Sequence, residues 1–345
     1  MRNPQALCTT LLLSACLLLC AGWPALTVAA DGPNQVAIQA STHADLQASL
    51  DALAQRARPG HLGITVLDLS SHSQWRVNAS SAYPMMSVFK APLAAVVLAQ
   101  VDQGRLSLQQ QVVITRAEVV DGTAVPSIGT HFHGERMSFS VERLLVAAVS
   151  ESDSTAADAL MKTVGGADVV TAFLREHGIA GMRVDLDEAG VESIFQDLPQ
   201  GVQPAADETT QQTLRRHQRG FQAFLADPRN RSTPDAAADF LDKLWRRQLL
   251  SPESSQRLLN LLYAQTIPNR LRRGLPAQIK LADKCGTAKG LEGRTAAYND
   301  IGILSLPNGH TVIVAAFLTD STAKDIDLEA LYADLGRSVV TALQP

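Results

Sequence analysis

The sequence has 345 residues, of which 46% are hydrophobic, 5% aromatic and 19% charged. Its 30 Lys and Arg residues and 34 Asp and Glu residues leave a net charge of −4 at neutral pH. This composition predicts a globular protein of one large domain or two modest ones, and it excludes collagen, coiled coil and disorder as the main state. A mild negative charge spread along the chain argues against a nucleic-acid partner, which would need a basic patch.

The first thirty residues have the pattern of a secretory signal. Arg2 precedes an apolar run over residues 11–19, and small residues end at Ala30. We expect cleavage near Ala30 and a periplasmic or secreted protein, because the run is shorter than the roughly 20 apolar residues that a membrane span needs. Residues 13–16 also resemble a bacterial lipoprotein box ending in Cys16, but the mature start would then be three leucines, so lipidation is the less favoured alternative.

Removal of this segment leaves one cysteine. Cys8, Cys16 and Cys20 lie within it, and Cys285 is the only other cysteine of the chain. An exported protein with a single thiol has no internal disulfide, so its stability must come from a packed core.

The elements that follow are predicted from periodicity, in chain order. Residues 44–56 have helical spacing, and residues 61–69 and 74–78 form a β-hairpin around a polar loop. Four helices follow, over residues 88–103, 141–149, 156–164 and 169–177. Strands return over residues 278–283, 296–306 and 310–319, the last two joined by a Pro-Asn-Gly turn, and residues 328–343 form a closing helix. The basic run at residues 215–219 is interpreted as a solvated helix face.

This order predicts an α/β (α+β) fold, in which an antiparallel sheet is flanked by helices and the helical middle is inserted between the second and third strands. We place the α/β subdomain at residues 31–85 and 262–345. The helical subdomain then covers residues 86–261, including an enlarged loop at about residues 183–231.

Three short motifs contain side chains suited to acyl transfer. Ser87 and Lys90 are three residues apart at the start of an apolar helix, so they share a face, and a buried neutral lysine can activate a serine hydroxyl. Ser152 and Ser154 flank an aspartate after a helix, which alone is typical of a helix cap. Lys284 ends a strand and can hold a carboxylate, and the following Cys285-Gly286-Thr287 lets backbone approach a ligand.

Taken singly, these motifs say little, since a Ser-x-x-Lys pattern is expected about once by chance in a chain of this length. In this order, however, they resemble the signature set of the serine β-lactamases and penicillin-binding proteins. The likeness runs from about residue 46 to the C-terminus and is greatest to the class A β-lactamases. The resemblance implies a five-stranded antiparallel sheet with an inserted all-helical subdomain, no cofactor and no metal, and a small-molecule β-lactam substrate.

A fourth element separates class A enzymes from penicillin-binding proteins. Arg183, Asp185 and Glu188 resemble the class A pattern Arg-x-Asp-x-x-Glu, and the interval from Ser152 to Glu188, 188 − 152 = 36 residues, matches the family. The resemblance therefore implies that Glu188 activates the hydrolytic water.

Two further candidates are less specific. Arg294 follows Lys284 by 294 − 284 = 10 residues, as does the arginine that binds the substrate carboxylate in many class A enzymes, although an ordinary exposed strand arginine fits equally well. His131 and His133 alternate in the manner of metal ligands, but no third ligand accompanies them, so we predict no metal site.

The sequence departs from the family at several positions. Ser154 replaces an asparagine, Cys285 replaces a threonine or serine, and Glu192 stands where an asparagine helps hold the hydrolytic water. A thiol donates to a carboxylate more weakly than a hydroxyl. The segment between Glu192 and Ser232 is also longer than typical by roughly two dozen residues.

The resemblance implies that Ser87 is the nucleophile, with Lys90 or Glu188 as its base, and that Ser152 protonates the leaving nitrogen. The backbone N–H groups of Ser87 and Thr287 would form the oxyanion hole. The full set of implied site residues is Ser87, Lys90, Ser152 and Glu188 for catalysis, and Ser154, Lys284, Cys285, Gly286, Thr287 and Arg294 for substrate binding.

We therefore expect a monomeric β-lactamase that hydrolyses penicillin- or cephalosporin-type antibiotics through a serine acyl-enzyme. A D,D-peptidase-type penicillin-binding protein and a non-hydrolytic penicillin sensor remain as alternatives. The sequence does not indicate which lactams are cleaved or how the enlarged loop is shaped.

Overall fold

The computed structural model describes residues 33–120, 127–288 and 290–344. The predicted signal segment and its three cysteines lie outside the described residues. From residue 40 onward the chain forms one compact unit, and residues 1–39 are grouped separately.

The described residues contain the following helices and strands, each numbered in chain order. The helices are α1 (Pro33–Arg56), α2 (Lys90–Asp102), α3 (Ser127–Thr130), α4 (Val141–Leu145), α5 (Ser154–Val164), α6 (Ala167–Glu176), α7 (Glu188–Gln196), α8 (Thr210–Ala226), α9 (Pro234–Trp245), α10 (Pro252–Tyr263), α11 (Leu271–Gly274) and α12 (Asp325–Leu343). The strands are β1 (His61–Asp68), β2 (Gln74–Val77), β3 (Tyr83–Pro84), β4 (Gln111–Thr115), β5 (Arg136–Ser140), β6 (Arg231–Ser232), β7 (Lys280–Thr287), β8 (Gly290–Leu291), β9 (Arg294–Ser305) and β10 (Thr311–Ser321).

The main sheet is antiparallel and has the order β2-β1-β10-β9-β7, with the short β8 paired to β9. The predicted five-stranded antiparallel sheet is thereby confirmed, and β8 is an addition to it. The helical middle lies between β2 and β7 in the chain, as the sequence predicts.

Both faces of this sheet are covered, because successive residues of a strand point to opposite faces. Ile303 and Ile313 pack with the helical half of the molecule, whereas Leu304 and Val312 pack with helices α1 and α12 on the other side. The central strands are therefore almost continuously apolar. This arrangement leaves the end of β7 beside the start of α2.

Helix α2 runs through the centre of the helical half. All but its last two residues are buried, which agrees with a sequence that is apolar on every face. Pro92 is tolerated because it lies in the first turn, where its missing N–H has no intrahelical partner. The helix continues directly from a 3-10 turn at Met86–Phe89, and this turn carries Ser87.

Residues 183–231, predicted as an enlarged loop, contain two helices, α7 and α8, of which the sequence indicates only a helix face at residues 215–219. The interpretation of residues 215–219 as a solvated helix face is wrong for Arg216, which is only 6% exposed and forms an ion pair with Glu208. A buried arginine needs such a partner, and the sequence does not show that Glu208 folds back onto it.

Candidate active site

Ser87 lies on a tight turn that β7 contacts closely. Met86, the residue before it, has a φ of +47°, in the left-handed region that side chains rarely adopt. A Cβ added at Gly286 would come within 2.5 Å of the Met85 carbonyl oxygen and 3.2 Å of the Ser87 nitrogen. Gly286 is therefore required for β7 to lie against the backbone of the turn that carries Ser87.

Lys90 and Glu188 meet beside Ser87. The Lys90 Nζ lies 2.8 Å from the Glu188 Oε1, and the same carboxylate oxygen accepts a hydrogen bond from the Ser87 Oγ at 3.4 Å. The Lys90 side chain is fully buried, and 11% of the Glu188 side chain is exposed. The glutamate that the sequence places on a distant loop is thus brought onto the Ser-x-x-Lys motif.

The Lys90 amine has three acceptors. Besides Glu188, it donates to the Ser152 carbonyl at 2.8 Å and to the Ser154 Oγ at 3.2 Å. A lysine ammonium group has three donors, which is the number of acceptors found here. Ser154 therefore contacts the lysine of the Ser-x-x-Lys motif, as its position as the first residue of α5 allows.

Ser152 is held by the second lysine. Its Oγ accepts a hydrogen bond from the Lys284 Nζ at 2.9 Å, and its backbone has a φ of +58°. The following residue, Asp153, caps α5 by accepting from the Ala156 N–H at 2.7 Å. This cap fixes the start of α5, with Ser152 directly before the capping residue and Ser154 directly after it.

Lys284 is completely buried, and burial lowers its pKa to about 8, an effect that the nearby Lys90 charge reinforces. Its Nζ also donates to the Cys285 carbonyl at 2.9 Å. The three sequence motifs and the loop glutamate are therefore in one cluster of side chains.

Arg270 is a site residue that sequence reasoning missed. It donates to the Thr287 Oγ1 and, at 2.6 Å, to the Asn269 Oδ1, and its guanidinium lies 4.1 Å from the centre of the Tyr298 ring. It is 2% exposed, and its Nε has no partner among the described residues. The only signal in the sequence is the basic run at residues 270–273, which does not indicate which arginine turns inward.

Cys285 also lies in this region of β7. It is 3% exposed, and its Sγ accepts a hydrogen bond from the Gln265 Nε2 at 3.7 Å. The same amide donates to the Asp283 Oδ2 at 2.8 Å. The Cys285 thiol is therefore packed against the Gln265 side chain and is little exposed.

The strand register places Arg294 away from Thr287. Thr287 pairs with Tyr298, and Arg294 pairs with Leu291 in the hairpin that extends beyond the site. The Arg294 guanidinium forms an ion pair with Asp320. Of the predicted substrate-binding residues, Arg294 is the one that the structure does not bring to the cluster.

The loop bearing Glu188 is anchored through its backbone. Asp187 caps α7 by accepting from the Gly190 N–H at 2.7 Å, and the Asp158 carboxylate accepts from the N–H groups of Glu188 and Ala189 at 2.7 and 3.0 Å. Burial raises the pKa of Asp158 to about 8, and the charges of Glu188 and Asp187 act in the same direction. These contacts fix the backbone on which the Glu188 side chain stands.

Glu192 lies one turn after Glu188 on α7, where its Oε1 accepts from the Gln196 Nε2 at 2.7 Å. The described residues contain no group of three or more His, Cys, Asp or Glu side chains placed to hold a metal ion. Within the same part of the chain, no helix combines the length and apolarity needed to cross a membrane.

Comparison with known proteins places this site in a family. The model of the β-lactamase enzyme family matches residues 45–343. The chain is 35% identical to the extended-spectrum β-lactamase PER-1 of Pseudomonas aeruginosa over 76% of each chain, and 27% identical to the β-lactamase VEB-1 of the same organism over 82% of this chain and 85% of that one.

Solved structures agree with this assignment. A β-lactamase from Chitinophaga pinensis superposes with a TM-score of 0.73 at 29% identity, covering 86% of this chain and 99% of that one. An ancestral class A β-lactamase superposes with a TM-score of 0.70 at 32% identity, covering 86% of this chain and all of the other. The chain belongs to the β-lactamase enzyme family, as a class A β-lactamase.

Proposed function

We propose that this protein hydrolyses β-lactams through an acyl-enzyme on Ser87. The observation that carries the proposal is that Ser87 and Lys90 both contact the same carboxylate oxygen of Glu188. Beside them, Lys284 holds Ser152 by a hydrogen bond. A nucleophile, a base and a proton donor are then within reach of one substrate carbonyl.

Acylation begins when the Ser87 Oγ attacks the lactam carbonyl and forms the ester bond. Lys90, or Glu188 through a water, takes the serine proton, since these two groups meet beside the Ser87 Oγ. The lactam C–N bond breaks as Ser152 gives its proton to the leaving nitrogen. The proton taken from Ser87 then passes on to Ser152, so both the base and Ser152 are restored before deacylation. The backbone N–H groups of Ser87 and Thr287 stabilise the oxyanion, where one such donor contributes about 3 kcal/mol.

Deacylation uses Glu188 as the base. Glu188 takes a proton from water, the resulting hydroxide attacks the ester carbonyl, and Ser87 leaves with the proton that Glu188 returns. One water is consumed, and the enzyme is restored. Since the Glu188 carboxylate contacts the Ser87 Oγ, it is close enough to activate a water beside an ester on that oxygen.

The substrate carboxylate is assigned to the cations beside Thr287. Lys284 belongs to this end of β7, and Arg270 contacts it through the Thr287 Oγ1. The Arg270 Nε, which has no partner among the described residues, is a donor that an anion would satisfy. Gly286 lets β7 lie against the turn that carries Ser87, and Ser154 and Cys285 occupy neighbouring positions, whereas Arg294 is paired with Asp320 farther along the hairpin.

We also propose that residues 1–30 direct export and are removed near Ala30, and that the mature protein is a periplasmic or secreted monomer. The charged start, the apolar run and the small residues before Asp31 support this proposal. The N-terminal sequence of the exported protein and its mass in solution test it.

Intact-mass spectrometry with benzylpenicillin tests the catalytic assignment. Wild-type protein should show a transient adduct, Ser87→Ala none, and Glu188→Gln a persistent one after a burst of about one product per enzyme, because the amide keeps the shape and loses the base. A persistent adduct on the wild type would indicate a penicillin-binding protein or sensor instead. Normal turnover by Ser87→Ala would refute the nucleophile.

A further inference from the structure

Helix α8 belongs to the segment by which this chain exceeds its family, and the proposed reaction gives it no role. The helix has 17 residues and begins at a capping box in which Thr209 and Gln212 exchange hydrogen bonds. Its exposed side chains are mostly polar, but Gly220, Phe221 and Phe224 form a buried stripe. The stripe contacts both α7 and the hairpin between β7 and β9.

The contact with α7 is made by backbone. A Cβ added at Gly220 would lie 2.2 Å from the Phe195 carbonyl oxygen and 2.6 Å from that of Ile194. One turn later, the Phe224 and Phe195 rings stack with their centres 4.1 Å apart. Only glycine at residue 220 allows the two helices to approach this closely.

Arg216 fastens the C-terminal end of α7. Its NH1 donates to the Gln196 carbonyl at 2.5 Å and to the Gln196 Oε1 at 2.9 Å, and its other nitrogens bind Glu208. The C-terminal carbonyls of a helix have no intrahelical donor, so a buried guanidinium satisfies one of them here. Arg219 adds an ion pair at 2.7 Å with Asp197, the residue that directly follows α7.

The opposite side of α8 contacts the extended hairpin. Phe221 packs in a small cluster with Ala288, Ala296 and Ala297, which lie beyond the substrate-binding end of β7. The Arg294 guanidinium stacks over the Phe221 ring at 5.4 Å, and the Gln218 Nε2 donates to Glu292 at 3.0 Å. Helix α8 thus connects the helix that begins with Glu188 to the strands that hold the substrate.

We propose that α8 is a positioning element for deacylation: by holding the C-terminal end of α7 against the β7–β9 hairpin, it sets where the Glu188 carboxylate lies relative to Ser87. Helix α7 has nine residues and is about 13 Å long, so it moves as one rod when either end moves. A misplacement of about 1 Å can cost about a hundredfold in rate. The inference rests on the proposed role of Glu188 as the base for water.

Gly220→Ala is the decisive variant. The methyl group must push α8 away from α7, even though alanine favours a helix more than glycine does. We expect decay of the benzylpenicillin adduct to slow at least about tenfold while the single-turnover acylation rate changes less than about twofold, because Lys90 remains available as the base for acylation, whereas Glu188 alone activates the water. Ala223→Gly, at an exposed position of the same helix, is the matched control: it weakens helix propensity without touching α7, and both rates should stay at wild-type values.

Phe224→Leu is the second variant and secures the test if Gly220→Ala does not fold, since it removes the ring stacking with a small change in volume; it should also slow adduct decay selectively. Wild-type adduct decay in both variants, or an equal loss in acylation and decay, would overturn the inference. Glu188→Gln is measured beside them. If that variant turns over normally, the proposed function itself fails; if it stalls while Gly220→Ala does not, only the role of α8 is refuted.

Discussion

Lys284 combines full burial with two hydrogen-bond acceptors in the proposed site. Its Nζ donates to the Ser152 Oγ and to the Cys285 carbonyl, both at 2.9 Å. Burial opposes the charged form and lowers the pKa to about 8. The charge that would bind the substrate carboxylate is therefore lost only slightly above neutral pH.

This pKa predicts a pH profile. Below pH 8 the ammonium form dominates, and above it the neutral amine does, so kcat/KM for a carboxylate-bearing penicillin should fall by about tenfold per pH unit on the alkaline side. Lys284→Arg keeps the charge, since arginine stays protonated, and should move the fall beyond pH 10 at some loss of rate. Steady-state kinetics from pH 6 to 10 on both proteins check this, and an unmoved alkaline limb in the arginine variant would assign the limb to another group.

Arg270 supplies a second prediction at this scale. If its guanidinium holds the substrate carboxylate, Arg270→Gln should remove about 2 kcal/mol of charge-assisted hydrogen bonding, or about thirtyfold in kcat/KM. A penicillin methyl ester lacks that carboxylate and serves as the matched substrate. The wild type should prefer the acid, and the variant should have lost most of that preference; an equal loss on acid and ester would make Arg270 a structural residue only.

The contrast between Arg270 and Arg294 shows what spacing can and cannot predict. The interval of ten residues from Lys284 selected Arg294, but the hairpin after β7 is long, and the register puts Tyr298 opposite Thr287 instead. Register depends on how many residues form the turn, which the sequence motif does not encode. Arg270 lies where its cation can reach Thr287, and only tertiary packing reveals it.

At the scale of elements, the site depends on how closely β7 approaches the turn that carries Ser87. Gly286 makes that approach possible, and Asn299 on β9 secures it by donating to the carbonyls of Pro84 and Met85 at 2.7 and 3.1 Å. These contacts bind the turn that carries Ser87 to the sheet. They therefore fix the relative position of the Ser87 and Thr287 N–H groups, the proposed oxyanion donors.

Gly286→Ala should therefore separate the two elements. Its methyl group would meet the Met85 carbonyl, and the Ser87 and Thr287 N–H groups would no longer converge on one oxygen. Since losing one oxyanion donor costs about a hundredfold or more, we expect the acylation rate to fall by at least that factor, with adduct decay slowed as well. Stopped-flow nitrocefin kinetics measure the fall, and thermal unfolding separates it from loss of fold. A near-normal acylation rate would mean that the turn yields without cost.

Elements with strong periodicity could be predicted from the sequence, and those stabilised by tertiary contacts could not. The β1–β2 hairpin, β9, β10 and α12 lie within a few residues of their predicted bounds, because their apolar repeats match the faces that they bury. The sequence indicates a helix face only at residues 215–219 of α8, because the apolar stripe of this helix is narrow. Its contact with the hairpin between β7 and β9, which is distant in the chain, could not be predicted from the sequence.

At the scale of the whole molecule, several carboxyl groups stay buried at some cost to stability. Burial raises the pKa of Asp283 to about 6, and it raises the pKa of Asp300 well above its usual range. Asp158 behaves likewise, with a pKa of about 8. In contrast, the hydrogen bond from Lys162 leads the causes that lower the pKa of Glu118 to about 2. The folded state is therefore favoured when Asp158, Asp283 and Asp300 are protonated and when Glu118 is ionised.

These shifts predict that the protein is more stable at pH 5 than at pH 8. Between the unfolded pKa of about 4 and the folded values, the folded state keeps protons that the unfolded state releases, so the free energy of unfolding falls as pH rises. The contribution of Glu118 is complete by about pH 5, and the lowered pKa of Lys284 acts in the opposite direction only above pH 8. Asp158→Asn should reduce the fall by at least about 1.4 kcal/mol, the equivalent of one pKa unit, whereas Asp207→Asn at an exposed position should leave it unchanged. Urea unfolding of the three proteins at pH 5 and pH 8 measures the difference, and a wild-type fall in Asp158→Asn would show that this carboxyl is ionised throughout.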